Sequence, residues 1–202
     1  MVHFLTPGKV KEVIKIPDIA YFTVLLAMAA LATEGCVLYL LHKQAISTTL
    51  GCAINTIAIF VAFTPMHDAA HSSIATTASG VRWLNTFVGL AMSNCFPVPF
   101  AAFKHVHLQH HKHTNDPEHD IDSWAGRGPW FLLPFRWFTT EAMYYVDFLP
   151  RIHERPTDEI FSALVQLVFF IYMIHYMLTN GYREMCIYGL LIPGEYTIYK
   201  YI

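Results

Sequence analysis

The chain has 202 residues, of which 54% are apolar and 14% charged, and its formal net charge is -2 at pH 7. Soluble domains average about 25% charged residues, so this composition favours a membrane protein. The near-neutral charge and the absence of a Lys/Arg run argue against nucleic-acid binding, and no nucleic acid partner is expected. The four cysteines are far apart without a C-x-x-C pair, which excludes a zinc ribbon. The length is that of a single domain, residues 1–202.

Two long apolar runs near the start predict a pair of membrane helices. The first runs from Ile19 to Leu41 and the second from Ala45 to Thr64, and each is long enough to cross a hydrocarbon core about 30 Å thick. The polar link His42–Gln44 is so short that an antiparallel hairpin is predicted, which returns the chain to its starting side just before His67. Three lysines mark that side as cytosolic by the positive-inside tendency: Lys9, Lys11 and Lys15.

The next apolar stretch, Trp83 to Phe103, is predicted not to cross the membrane. It contains two asparagines and two prolines, which is typical of an interfacial or re-entrant segment. The chain then emerges on the same side as His67. Beyond it, the sequence predicts a polar loop over Asn115–Gly128, an interfacial helix over Trp130–Leu149, a charged cytosolic loop over Arg151–Glu159 and a third crossing over Ile160–Leu178. The predicted fold is an all-α integral membrane protein, a transmembrane helical bundle with a histidine-rich cytosolic face.

Seven of the twelve histidines lie between His67 and His113, in two short clusters that each follow an apolar stretch. Histidine is costly near lipid, and neutral imidazole is a common transition-metal ligand, so the clusters predict a metal site. On a helix, histidines spaced i and i+4 in the first cluster share one face, and so do those spaced i, i+3 and i+4 in the second. His105 and His113 point away from that face. Five ligands are therefore predicted: His67, His71, His107, His110 and His111.

The residues around the clusters narrow the choice of metal. The first cluster reads H-D-x-x-H and lacks the glutamate base of the H-E-x-x-H zinc proteases. Copper fits such ligands, and sites with many histidines also suit iron in oxygen chemistry. A metal transporter would place histidines within its crossings, whereas these gather at one end.

The two clusters closely resemble the histidine boxes of the membrane fatty acid desaturase and hydroxylase superfamily. His67-Asp68-Ala69-Ala70-His71 resembles the first box. His107-Leu108-Gln109-His110-His111, with the Thr-Asn-Asp-Pro that ends at Pro117, resembles the second. The stretch Asn85–Gly89 is similar to the family's segment between the boxes, and the likeness covers roughly residues 54–122.

The resemblance implies a membrane-bound, non-haem di-iron oxidoreductase. Such enzymes use O2 and two electrons, from cytochrome b5 or a ferredoxin through a reductase, to desaturate or hydroxylate an unactivated C–H bond. The five histidines match the box positions, so they are expected to hold two irons. Four further residues are candidates for orienting the ligand imidazoles, or else for capping helices and shaping a loop. They are Asp68, Asn115, Asp116 and Asp120.

A third box, H-x-x-H-H, is expected from the resemblance, but no such spacing follows His113. Only His119, His153 and His175 remain, each isolated. The chain is therefore expected to be truncated before that box and to lack the C-terminal part of the domain. Its di-iron site is then incomplete, and little desaturase activity is expected from these 202 residues alone.

Three functions remain open from the sequence. Fatty acid desaturation of a lipid acyl substrate leads, because the second box continues into Thr-Asn-Asp-Pro. A related lipid, carotenoid or alkane hydroxylase shares the chemistry. An inactive, truncated membrane remnant without a complete metal site is the alternative outside enzymes, and iron content per chain separates it from the other two.

Overall fold

The computed structural model describes residues 17–116 and 118–192. These residues are helical apart from turns and an isolated bridge between Ile19 and Ala75. The lysines predicted to mark the cytosolic side, at positions 9, 11 and 15, lie outside the described residues. The helices are α1 (Tyr21–His42), α2 (Thr48–Ala70), α3 (Trp83–Ser93), α4 (Phe100–His113), α5 (Leu133–Phe138), α6 (Thr140–Phe148), α7 (Thr157–Thr179) and α8 (Arg183–Cys186).

Three helices in the described part of the chain are long and apolar enough to cross a membrane: α1, α2 and α7. At 1.5 Å per residue a helix of 22 residues extends about 33 Å, which matches a hydrocarbon core. Their outer faces expose large apolar side chains such as Phe22, Ile57 and Phe161, as lipid contact requires. The predicted all-α membrane bundle is confirmed.

The hairpin of α1 and α2 is closed by a defined backbone turn. Gln44 has a left-handed backbone (φ 54°), and the N–H of Ala45 donates to the carbonyl of Leu40 at 2.9 Å. This satisfies carbonyls at the end of α1. Ser47 then caps α2, because its hydroxyl accepts the N–H of Leu50 at 3.2 Å. The predicted short antiparallel connection is confirmed.

The second helix is longer than predicted. The apolar run predicts an end at Thr64, next to Pro65, but α2 continues through Pro65 to Ala70. Proline removes one backbone donor without preventing the following turn from forming. The helix ends at His71, where Ser72 adopts a left-handed backbone (φ 56°) and the N–H of Ser73 donates to the carbonyl of Asp68 at 3.0 Å. The first histidine cluster therefore lies on the last turn of a membrane-length helix.

A buried asparagine fixes the return loop after α2. The side-chain oxygen of Asn85 accepts the N–H groups of Ile74 (2.9 Å) and Ala75 (3.2 Å), and its amide donates to the carbonyls of Ala75 and Arg82. Its hydrogen-bonding groups are thus satisfied inside the protein. This explains why a polar residue stands in an otherwise apolar stretch.

The interrupted segment does not form a continuous crossing, as predicted. At 11 residues α3 is about 16 Å long, and the turn before α4 contains both prolines. Gln166 of α7 holds this turn inside the bundle. It accepts the N–H of Phe100 at 3.0 Å and donates to the hydroxyl of Ser93 at 2.7 Å. Its buried amide is thereby paired on both sides.

The C-terminal third differs from the prediction in two places. The helix expected over Trp130–Leu149 is divided into a 3-10 turn, α5 and α6, with a break at Thr139. The Thr139 hydroxyl accepts the indole N–H of Trp124 at 3.1 Å, which ties the break to the preceding loop. The charged loop also ends early, because α7 begins at Thr157 directly after Pro156.

We predict that Gly89→Ala destabilises the protein, because a Cβ at this position overlaps the ring of Phe100. That ring begins α4, so it has little freedom to move, and overpacking of this kind costs about 1–3 kcal/mol. The matched control is Gly35→Ala in α1, where nothing lies within 4 Å of the added atom. The melting temperature measured in detergent should fall for Gly89→Ala and stay unchanged for Gly35→Ala. Equal melting temperatures for the two variants would contradict the close contact between position 89 and the Phe100 ring.

Candidate metal centre

Four histidines from two helix ends converge on one point. His67 and His71 come from the end of α2, and His107 and His111 from the last two turns of α4. The Nε2 atom of His71 lies 3.1 Å from that of His107 and 3.2 Å from that of His111, and the latter two are 3.1 Å apart. Ligand atoms of all four rings lie within 4.8 Å of one another. The two clusters are therefore at the same end of the bundle.

This arrangement fits a bound cation better than mutual hydrogen bonding. Each neutral ring presents either an N–H or a lone pair at Nε2, so at least one of the three close pairs is mismatched. Neighbouring nitrogen ligands about 2.0–2.1 Å from a metal ion are separated by roughly 3 Å, as these atoms are. Partial burial is the main cause, and the neighbouring imidazoles the second, of a lowered pKa for both His71 and His111. Both rings are then neutral at pH 7, the form that binds metal.

His110 does not join these four rings. Its Nδ1 lies 2.9 Å from Oδ1 of Asp120, a fully buried carboxylate. The second oxygen of Asp120 accepts the backbone N–H of Asn115 at 2.7 Å. The sequence predicted that His107, His110 and His111 converge on one point, whereas only His107 and His111 do so. A carboxylate on Nδ1 favours a proton there and leaves the lone pair on Nε2.

Aromatic packing fixes the ring of His107. The Phe103 ring stacks on it at 5.2 Å with an interplanar angle of 8°, and Phe63 meets Phe103 edge-on at 5.8 Å. A cavity of about 200 Å³ lies between these rings and the histidines. Its lining residues are Phe63, His67, Phe103, His107, His110, His111, Asp122 and Tyr144.

The four predicted orienting residues take different positions. Asp68 has Oδ1 at 3.6 Å from Nδ1 of His67, and its other oxygen accepts the hydroxyl of Thr23 at 2.9 Å. Asp120 contacts His110 as described. Asn115 contributes its backbone, with a left-handed φ of 64°. Asp116 shapes the loop and contacts His119 at 3.1 Å instead of a box histidine.

Asp122 lies beside the histidines although the sequence pattern does not predict it there. This carboxylate is 3% exposed and has Oδ2 at 3.9 Å from Nδ1 of His107. It begins a 3-10 turn, Asp122–Gly126, that turns it inwards beside Asp120. The only signal in the sequence was a second acid two positions after Asp120, and alternation of that kind does not distinguish a buried acid from an exposed one.

A sequence model of the fatty acid desaturase family matches residues 44–192, about three quarters of the chain. The chain belongs to this family. A Delta(9) fatty acid conjugase-like enzyme of Dimorphotheca sinuata is 37% identical over 123 residues. The match covers 61% of this chain but only 26% of the relative, which is about a quarter of that protein's length.

The remaining histidines near the boxes lie away from the four-histidine cluster of this desaturase-family protein. His105 is buried against Asp147, with Nε2 at 3.4 Å from Oδ2. His113 stacks on His119 at 5.1 Å between ring centroids. With Asp116 these two form a second, more exposed group of ligand-type side chains. The prediction that His105 and His113 point away from the shared face agrees with these positions.

We predict that His71→Ala weakens metal binding on the order of 100-fold or more, because it removes a ligand and not only a residue that orients one. The measurement is equilibrium binding of Co2+ to the detergent-purified chain. His153→Ala is the control, since that side chain is 75% exposed and lies beside Glu154 on a separate turn. Similar affinities for the two variants would show that the four-histidine cluster is not the binding site.

Proposed function

We propose that the chain is a membrane-bound, non-haem di-iron oxidoreductase of the desaturase type that acts on lipid acyl chains. The observation that carries this proposal is the convergence of imidazoles from both boxes at one end of a membrane-length bundle. Family membership supports the reaction class. We further propose that residues 1–202 belong to a single desaturase-like domain.

In this proposal the five box histidines hold the iron. His67, His71, His107 and His111 bind one ion, and His110, oriented by Asp120, contributes to a second. Bound iron supplies the O2 chemistry needed to remove hydrogen from an unactivated C–H bond. The residues of the chain keep the imidazoles of His71 and His111 neutral, orient the rings and limit water with the apolar wall formed by Phe63 and Phe103.

The proposed partners follow from the reaction. The substrates are an acyl lipid and O2, and the electrons come from cytochrome b5 or a ferredoxin with its reductase. In this proposal the histidine-rich end of a multi-pass membrane protein faces the cytosol, where the electron donor reaches it. A hydroxylase acting on lipid, carotenoid or alkane is the closest alternative, and an inactive remnant is the second.

We predict that Ser72→Cys and Lys112→Cys are labelled by a membrane-impermeant thiol reagent from the same side. Both positions are exposed near the histidine-rich end, whereas Lys43→Cys lies at the opposite end of the α1–α2 hairpin and serves as the control. The four native cysteines are first replaced by alanine. Labelling from the cytosolic side should reach positions 72 and 112 and spare position 43. Opposite accessibility of 72 and 112 would contradict the arrangement.

The function itself is tested in a desaturase-deficient host. The whole chain and a His107→Ala variant are expressed, iron per purified chain is measured, and cellular lipids are analysed by mass spectrometry. We expect bound iron with the parent chain and not with His107→Ala, and little new acyl double bond from either, because five box histidines do not complete a di-iron site. A clear new double bond with the parent chain would overturn that expectation and support desaturation directly. A hydroxylated product would identify the hydroxylase. About two irons per chain would favour the enzyme, and near-zero iron would favour the remnant and reject the metal centre.

A further inference from the structure

We propose that Tyr144 is a positioning residue of the metal centre, whose hydroxyl holds the Asp122 carboxylate against Nδ1 of His107. The inference rests on the proposed role of the histidine cluster as a metal site. It assigns to α6 a function that the two boxes do not contain.

Tyr144 is placed for this role. It is 1% exposed, lines the cavity beside the histidines and packs on Phe103, the ring that stacks on His107. Asp122 lines the same cavity, which puts the Tyr144 phenol beside this carboxylate. Burial, together with that carboxylate, raises the pKa of Tyr144 well above its usual value. The phenol therefore keeps its proton and is available as a donor to the unpartnered oxygen of Asp122.

Asp122 depends on this contact. Its Oδ1 has no hydrogen-bond partner among the described residues, although the carboxylate is buried. A buried polar group with so few partners is costly and weakly fixed in orientation. The Tyr144 hydroxyl supplies the donor that ties the carboxylate to a neighbouring helix. Removing the hydroxyl alone leaves Asp122 free to rotate away from His107.

The effect on His107 follows from its two nitrogens. Nε2 belongs to the close triangle with His71 and His111, so Nδ1 must carry the proton when Nε2 binds metal. Asp122, with Oδ2 at 3.9 Å, is the carboxylate that faces Nδ1. An acid in that position fixes the tautomer and raises the basicity of the ligand nitrogen.

The same construction occurs at the first box, which supports the assignment. Asp68 faces Nδ1 of His67 at 3.6 Å, and a hydroxyl from another helix, that of Thr23 in α1, donates to it at 2.9 Å. In this proposal the Tyr144 hydroxyl in α6 has the same role towards Asp122 that the Thr23 hydroxyl has towards Asp68. Each acid is thus connected to a helix that carries no box histidine.

The test compares two adjacent tyrosines in the whole detergent-purified chain. Tyr144→Phe and Tyr145→Phe each remove one phenol hydroxyl. The hydroxyl of Tyr145 donates to the carbonyl of Pro97 at 2.7 Å, and Tyr145 does not line the cavity. We expect Tyr144→Phe to weaken Co2+ binding about 10- to 100-fold and to alter the visible Co2+ spectrum. Tyr145→Phe should bind Co2+ like the parent chain even if its melting temperature falls.

Asp122→Asn separates positioning from packing. It should reduce affinity to a similar extent, and the double variant with Tyr144→Phe should be little worse than either single variant, because both act through one contact. Parent-like affinity and spectrum in Tyr144→Phe would overturn the inference while leaving the proposed function intact. So would equal losses of affinity in both tyrosine variants. Failure of the parent chain to bind Co2+ would reject the metal centre, and this inference with it.

Discussion

The histidine cluster exists only because the ends of α2 and α4 are held together. The imidazoles themselves contribute little stabilisation to that contact through hydrogen bonds with one another. Three Nε2 atoms lie within 3.2 Å of one another, and at least one pair is mismatched without a cation. Apolar packing directly beneath the site opposes this cost. The Phe63 ring meets both Phe96 and Phe103 edge-on, and Met66 is completely buried beside His67. The bundle thus holds the four imidazoles together by packing alone.

Two buried amides keep these helix ends in register. Asn85 binds the loop that leaves α2, and Gln166 binds the turn that enters α4. Neither residue is a ligand, but each satisfies backbone groups that an apolar side chain would leave unpaired. The membrane helices themselves satisfy their backbone internally, so these amides act where the chain must turn between helices.

Three carboxylates lie next to three of the box histidines, and only Asp120 is within hydrogen-bond distance of its ring. Asp68, Asp120 and Asp122 face the Nδ1 atoms of His67, His110 and His107 at 3.6, 2.9 and 3.9 Å. Asp68 lies in the last turn of α2, Asp120 in the loop after α4, and Asp122 at the start of a 3-10 turn. All lie at one end of the bundle, so their charges need not enter the centre of the hydrocarbon core. This end therefore combines clustered imidazoles with nearby carboxylates, an arrangement that suits the metal site proposed above.

The sequence by itself determined the membrane helices and the shared face of the histidines in the first box, because apolar length and helical spacing are local properties. His67 and His71, four residues apart, share a face wherever α2 runs. Only the tertiary structure decided that His110 turns to Asp120, that α2 continues beyond Pro65, and that Asp122 and Tyr144 belong to the site. These outcomes depend on distances between segments remote in the chain and on the turn that points Asp122 inwards. No periodicity in the sequence encodes such distances.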